Sequence, residues 1–138
     1  MDLATAFTQI NWFSVVVATL AAFALGSLWY SPVLVGKVWQ KEIKLSDEDI
    51  RGANMPMIFG GAFVLNFIAA IVLEMFLGKE STLVSGLMAG LLVAIAWIAT
   101  ALGTNYLFAR KSFKLFLIDA GYYVFYYALM GIILGAWK

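Results

Sequence analysis

Residues 115–137 read LFLIDAGYYVFYYALMGIILGAW, an apolar stretch in which Asp119 is the only charged residue. A helix rises about 1.5 Å per residue, so roughly 20 residues of this kind cross the hydrocarbon core of a bilayer. Residues 11–30, 57–76 and 83–108 form three further stretches, in which Glu74 is the only charge. The pattern predicts an all-α polytopic membrane protein: one domain, residues 1–138, with four transmembrane helices.

The composition excludes several classes of function. The chain has 138 residues, of which 64% are hydrophobic and 12% charged, and it contains no His and no Cys. The usual zinc, haem and iron–sulfur ligands are therefore missing, as are the catalytic triads built on His or Cys. A formal net charge of +1 supplies no basic face for nucleic acid. We expect no cofactor, no metal, no catalytic residue and no nucleic-acid partner.

The distribution of positive charge predicts the orientation in a cell (inner) membrane. The 31–56 and 109–114 loops carry seven Lys or Arg residues, whereas the opposite side carries only Lys79 and Lys138. The positive-inside rule then places both loops in the cytoplasm and both termini outside. The first ten residues lack the positive region of a signal peptide, so the first span is expected to be retained.

The loop between the first and second spans has helical patterns of its own. Val35, Val38, Trp39 and Ile43 are apolar at helical spacing, which favours a short helix lying at the cytoplasmic interface, although a solvated loop fits nearly as well. The SDED sequence at residues 46–49 has the form of a capping box and predicts a helix start. Whether that helix continues through residues 47–56 into the second span is left open by the sequence.

Small residues mark the faces through which the helices are expected to meet. Close backbone approach supplies much of the packing energy between helices in lipid. The first interpretation is packing within one bundle, and the second is a ridge that pairs two protomers. The candidate packing residues are Gly26, Gly86, Gly90, Gly131 and Gly135.

Polar side chains at mid-membrane depth form a second expected feature. An amide or hydroxyl in hydrocarbon is unfavourable unless it is hydrogen-bonded, so these groups are expected to face inward and satisfy one another. Polar contacts that hold a bundle together are favoured over a substrate site. The expected layer consists of Asn66, Tyr126, Tyr127 and Thr100, with Thr19 nearby.

Asp119 is the most informative residue, because a carboxylate inside the membrane needs a partner, a proton or water. It lies about one and a half turns from the basic 109–114 loop. A structural role, in which Asp119 pairs with a loop cation, is favoured over proton or cation handling. The candidate polar site consists of Asp119, Asn105, Tyr122, Tyr123, Tyr30, Ser31, Lys37 and Lys114.

Glu74 lies near the outer boundary of the second span, far from Asp119 across the membrane. We expect its side chain to reach water by snorkelling, although Lys79 or Lys138 could neutralise it.

Several motifs together resemble a known family. They are GSLWYSP at residues 26–32, GKVW at 36–39, NYLF at 105–108, IDAGY at 118–122 and MG at 130–131. The chain resembles the bacterial small membrane proteins catalogued as domain of unknown function 1761. That resemblance spans essentially the whole chain and implies a four-helix membrane fold without an established activity.

Two classes of function are favoured over a membrane enzyme. The first is a binding or accessory protein that holds membrane lipid, a small ligand or a larger membrane complex. The alternative is a transporter or channel for small molecules or ions, which would require a homo-oligomer because four helices are few to enclose a pathway. A homodimer is the favoured assembly.

Overall fold

The computed structural model describes residues 2–138, and that part of the chain is helical with no strand. Its elements are α1 (Leu3–Thr8), α2 (Trp12–Trp29), α3 (Gly36–Glu42), α4 (Asp47–Arg51), α5 (Met55–Leu77), α6 (Leu83–Leu92), a π-helical segment (Val93–Ala99), α7 (Thr100–Phe108) and α8 (Phe113–Ala136). Four helices are long and apolar enough to cross a membrane: α2, α5, α8 and the run Leu83–Phe108 that joins α6 to α7. The predicted fold class is confirmed.

Each spanning helix begins after a polar residue whose side chain accepts a hydrogen bond from a free backbone amide of the first turn. These capping residues are Asn11, Asn54, Thr82 and Ser112. The caps set boundaries within two residues of the predicted ones, because hydropathy locates the apolar run and the cap fixes its first turn.

Two short helices occupy the connection between α2 and α5, as the sequence predicted. Helix α3 forms over the apolar pattern of residues 35–43, and α4 begins at the Ser46 capping box. The backbone amide and hydroxyl of Ser46 hold the pKa of the Asp49 carboxyl below its usual value. Helix α4 ends at Gly52 and α5 starts anew after Asn54, so the two do not form one continuous helix.

Helix α1 is an element that the sequence analysis did not predict. Asp2 caps it by accepting the Ala4 amide, and the helix packs against α5. Six residues are too few to cross a bilayer, so α1 adds no fifth span.

Helix α8 lies at the centre of the bundle. It packs against α2, α5 and α6, and it is the most buried of the four spans. We call the end of the bundle with α3, α4 and the 109–112 connection the loop end, and the opposite end the terminal end. The second and third spans are joined at the terminal end by a short turn, in which Gly78 adopts φ 69°.

Glycine brings α6 and α8 into backbone contact over the half of the bundle nearest the terminal end. A Cβ atom on Gly86 would lie 2.0 Å from the carbonyl oxygen of Gly131, and one on Gly90 would lie 2.0 Å from that of Tyr127. Gly135 approaches the carbonyl oxygen of Thr82 in the same way. Gly26 lies against the hydroxyl of Tyr122. The structure thus places the candidate packing glycines in contacts within one chain.

Glu74 does not snorkel to water, so that expectation was wrong. The residue is 4% exposed, and its Oε2 lies 2.8 Å from Nζ of Lys138. Its Oε1 accepts the backbone amide of Asn11 at 3.3 Å. Glu74 therefore ties α5 to the start of α2 and the end of α8, and Lys138 is one of the two cations that the sequence offered as its partner.

Candidate functional site

Asp119 lies in the first half of α8, near the loop end, and two tyrosine hydroxyls donate to it. Tyr30 donates to Oδ1 at 2.6 Å, and Tyr106 donates to Oδ2. Tyr30 follows the last turn of α2, while Tyr106 lies on α7. The carboxylate thus joins the first, third and fourth spans, and each of its oxygens accepts one hydroxyl.

The sequence around Tyr30 explains how the chain presents this hydroxyl to α8. Trp29 donates from Nε1 to the carbonyl oxygen of Ile118 at 3.1 Å, which fixes the end of α2 beside Asp119. After the turn, the ring of Trp39 on α3 packs edge-on against Tyr30 at 5.3 Å. The tight turn requires Gly36, because a Cβ atom there would lie 2.3 Å from the carbonyl oxygen of Tyr30.

Asp119 has no cation as its partner, contrary to the favoured expectation of a pair with a loop cation. In the part of the chain that the structure describes, Lys138 and Glu74 form the only ion pair. Lys37 and Lys114, both candidates for the site, are exposed to solvent. The tyrosine hydroxyls replace the cation because they reach below the loops, at the depth of the carboxylate, where a lysine would lose its hydration.

The other residues of the candidate polar site form no hydrogen bond with the carboxylate of Asp119 and lie in different parts of the bundle. Ser31, in the turn after α2, donates to the carbonyl oxygen of Leu28 at 2.7 Å. Tyr122 is buried and donates to the carbonyl oxygen of Ala22 at 3.4 Å. Asn105, next to Tyr106, and Tyr123, one turn beyond Asp119 on α8, lie on the wall of a groove.

That groove is a cavity of about 290 Å³ between α5, the third span and α8. Its lining residues are Leu65, Asn66, Ala69, Ile98, Ala101, Leu102, Asn105, Tyr123, Tyr126 and Tyr127. Leu65, Ala101 and Asn105 are exposed, so the groove opens on the outer surface of the bundle. Apolar side chains dominate that surface, as expected of a face in contact with lipid.

The groove lining of the third span begins inside the π-helical segment. Before the segment, α6 lies in backbone contact with α8; from Ile98, near the end of the segment, the side chains of Ile98, Ala101 and Asn105 border the groove. A π-helical turn adds residues to the helical repeat and rotates the following face, and such turns are frequent at functional sites. The groove therefore begins where the third span changes its helical geometry.

The mid-membrane polar layer is divided between the groove and individual helices. Tyr126 donates to Oδ1 of Asn66 at 2.9 Å, and Tyr127 lines the groove beside this pair. Thr19 and Thr100 instead donate to backbone carbonyls of their own helices. Thr100 is exposed, so the expectation that it faces inward was wrong: its hydroxyl is satisfied four residues back and needs no second helix.

Tyr106 is the residue of the site that the sequence analysis missed. It is adjacent to the predicted Asn105, and consecutive residues on a helix point about 100° apart. Asn105 and Tyr106 lie at nearly the same depth in the membrane. Only the rotation of α7 about its axis decides which of them faces Asp119. A phenol also reaches farther than an amide, a signal that favours Tyr106 for bridging two helices.

Chemically, the groove combines apolar side chains with the amides of two asparagines and the phenols of three tyrosines, and the carboxylate of Asp119 lies about one turn beyond its wall. Within residues 2–138, no group of three or more His, Cys, Asp or Glu side chains lies close enough to hold a metal ion. The groove's volume of about 290 Å³ lies just below the usual range for ligand sites, and half of its ten lining residues are Asn or Tyr.

Comparison with known proteins gives a family and no relative of known activity. No curated protein and no solved structure matches the chain. One family model, described as protein of unknown function (DUF1761), matches residues 13–135, which include all four spanning helices apart from their extreme ends. The motifs that suggested this family, together with the match over nearly the whole chain, establish that the protein belongs to the DUF1761 family.

Proposed function

We propose that this protein is a binding protein of the cell (inner) membrane that holds a small ligand in the groove between α5, the third span and α8. The observation that carries the proposal is the groove itself, a cavity of about 290 Å³ at membrane depth. Its opening lies on the apolar outer surface, so a ligand dissolved in the bilayer would enter it sideways.

We place the loop end in the cytoplasm and both termini outside. Seven Lys and Arg residues lie on the connections at the loop end, against Lys79 and Lys138 at the terminal end. With this orientation Asp119 lies in the cytoplasmic half of the membrane, and the groove extends from that half to the middle of the membrane.

The side chains in and near the groove fit a binding protein better than they fit an enzyme. The carboxylate nearest the groove is that of Asp119, and both of its oxygens already accept tyrosine hydroxyls. A general base must lie within hydrogen-bond reach of the proton that it abstracts. No Asp or Glu is among the residues that line the groove, and Asp119 lies about one turn of α8 beyond its wall.

The test is native mass spectrometry of the protein released from lipid nanodiscs made directly from cell membranes. It records both the bound mass and the number of chains in the particle. We expect a ligand mass on the wild type. Ala101→Trp fills the groove from its exposed edge and should abolish that mass.

The matched control is Ala24→Trp, the same substitution at an exposed position of α2 outside the groove. This variant should keep the ligand. Equal loss from both variants, or a wild type without any bound mass, would contradict the proposal.

A homo-oligomeric transporter or channel is the second candidate, and the open side of the groove favours it. A second copy lying against α5 and α7 would close that side and enclose a pathway. The glycines of α6 and α8 are occupied within the chain, so such a dimer would use another surface. A dimer in the mass spectrum, followed by flux that Asp119→Asn abolishes, would support this candidate; a monomer would remove it.

A further inference from the structure

An acidic side chain, Asp119, lies next to the loop end of the groove and forms no ion pair within residues 2–138. Asp119 lies four residues before Tyr123 on α8, and Tyr106, which donates to it, is adjacent to Asn105 on α7. Four residues correspond to roughly 6 Å along a helix. The carboxylate therefore lies about one turn beyond the groove wall.

The carboxylate of Asp119 lies inside the bundle. The hydroxyl of Tyr30 donates to one of its oxygens and the hydroxyl of Tyr106 donates to the other. Inside the bundle the effective dielectric constant is well below that of water, so the field of a charge on this carboxylate extends into the groove. The nearest basic residues of the 109–114 loop are exposed, where solvent and salt screen them.

The groove walls add electron-rich groups and no positive charge. Tyr123, Tyr126 and Tyr127 line it, with ring centroids of neighbouring pairs 4.7 and 5.4 Å apart. The face of an aromatic ring carries the negative part of its quadrupole and attracts cations. Asn66 and Asn105 supply amide oxygens, and no Lys or Arg is among the lining residues.

Resting on the proposed binding function, we infer that the ligand of this groove is an organic cation with an apolar body, of the substituted-ammonium class. Leu65, Ile98 and Leu102 would contact the apolar body. The tyrosine faces and the field of Asp119 would hold the ammonium group toward the loop end. An anionic or a neutral molecule of the same shape would gain only the apolar contacts.

The cavity volume limits the size of the ligand. About 290 Å³ suits a small aryl- or alkylammonium rather than a whole phospholipid. The same ammonium chemistry also occurs on the headgroup of an amine-containing lipid, which could insert that group alone. The test therefore includes both sources.

The experiment titrates the purified chain, labelled with ¹³C in its tyrosine rings, in nonionic micelles and follows the ring signals by NMR. The chain has six tyrosines, so signals can be assigned by single Tyr→Phe variants. The probes are benzyltrimethylammonium and neopentylbenzene, its neutral isostere, in which carbon replaces nitrogen. Because ring shifts report the groove itself, partitioning of a probe into the micelle does not mimic binding.

We expect the cation to shift the signals of Tyr123, Tyr126 and Tyr127 saturably, with an affinity at least tenfold above that of the isostere. Asp119→Asn should weaken binding of the cation about tenfold, the effect of a unit charge about 10 Å away at an effective dielectric constant near 20. Glu80→Gln removes an exposed carboxylate at the terminal end and should leave the affinity unchanged.

Each of the other outcomes contradicts one particular part of the inference. Equal affinity for the two probes overturns the cationic class while leaving a binding groove in place. No shift with either probe overturns both this inference and the proposed function. Unchanged affinity in a folded Asp119→Asn variant overturns the role of the carboxylate; if that variant does not fold, the isostere pair in the wild type decides.

A second titration separates the two sources of ammonium. Phosphatidylethanolamine is added to the micelles, with phosphatidylglycerol as the matched lipid without an amine. Competition by the former alone would support a lipid headgroup as the source. Competition by neither lipid would support a free cation.

Discussion

Helix α8 meets the third span through glycine in one half of the bundle and through tyrosine in the other. Near the terminal end, Gly131 and Gly86 bring two backbones so close that no side chain fits between them. Toward the loop end, Tyr123, Tyr126 and Tyr127 border a groove instead. The contrast indicates that one half of this interface provides stability and leaves the other half free to stay open.

The energies expected for the two halves differ for a physical reason. In lipid, helices associate mainly through close packing, and backbone contact maximises it. Tyrosine hydroxyls near Asn66 and Asp119 contribute individual hydrogen bonds, which in membrane proteins average well below 2 kcal/mol. The glycine half should therefore respond strongly to a change of volume, and the tyrosine half weakly to a change of polarity.

The largest effect is expected from Gly131→Leu, which forces the glycine contact apart. A Cβ atom there would lie 2.0 Å from the carbonyl oxygen of Gly86, and backbone cannot move aside as a flexible side chain would. We expect the free energy of unfolding to fall by about 3 kcal/mol or more. SDS titration in mixed micelles, followed by circular dichroism, measures it.

The matched control is Gly61→Leu on α5, where a Cβ atom meets nothing within 4 Å. Leucine favours the helix over glycine, so this variant should be unchanged or more stable by up to about 1 kcal/mol. If Gly131→Leu unfolds at the same SDS concentration as the control, the glycine contact does not carry the stability of this half.

An intermediate effect is expected from the Asp119 cluster, which is tested by a double-mutant cycle between Asp119→Asn and Tyr106→Phe. Hydrogen bonds to a charged group contribute about 1.5–3 kcal/mol in soluble proteins, and less in membranes. We expect a coupling energy of about 1–2 kcal/mol in the same SDS titration. Tyr106→Phe paired with the distant Thr5→Val provides the control, for which the two changes should simply add.

Additivity in the Asp119 cycle as well would mean that the hydroxyl of Tyr106 does not hold the carboxylate. The third span would then be joined to α8 near the loop end by apolar contacts alone.

The smallest effect is expected from Tyr126→Phe, which removes the hydroxyl that donates to Asn66 at 2.9 Å. The lost bond should cost about 0.6 kcal/mol, the average for hydrogen bonds between membrane helices. Tyr127→Phe serves as its comparison, because that ring also lines the groove. If Tyr126→Phe lowered the free energy of unfolding by more than about 2 kcal/mol, the tyrosine half would also carry much of the stability, contrary to the difference expected between the two halves.

The sequence predicted how deep in the membrane the residues of the candidate site lie, but only in part which side chains face one another. The sequence placed Asp119, Tyr30 and Asn105 at one level, and the structure brings the first two into contact. It puts Tyr106 where Asn105 was expected, because rotation of a helix about its axis depends on neighbours that a hydropathy pattern does not identify. The partner of Glu74 was likewise one of two open alternatives, decided by how the termini meet.

The number and boundaries of the spans were determined by the sequence alone, because the bilayer demands about 20 apolar residues for each crossing and capping residues end the run. The glycines at spacing four were predicted as packing residues, but their pairing between α6 and α8 within one chain is given only by the structure. The groove was decided only by the tertiary structure. It exists because α5 and the third span part beyond their short connecting turn, and no local pattern in either helix encodes the distance between them.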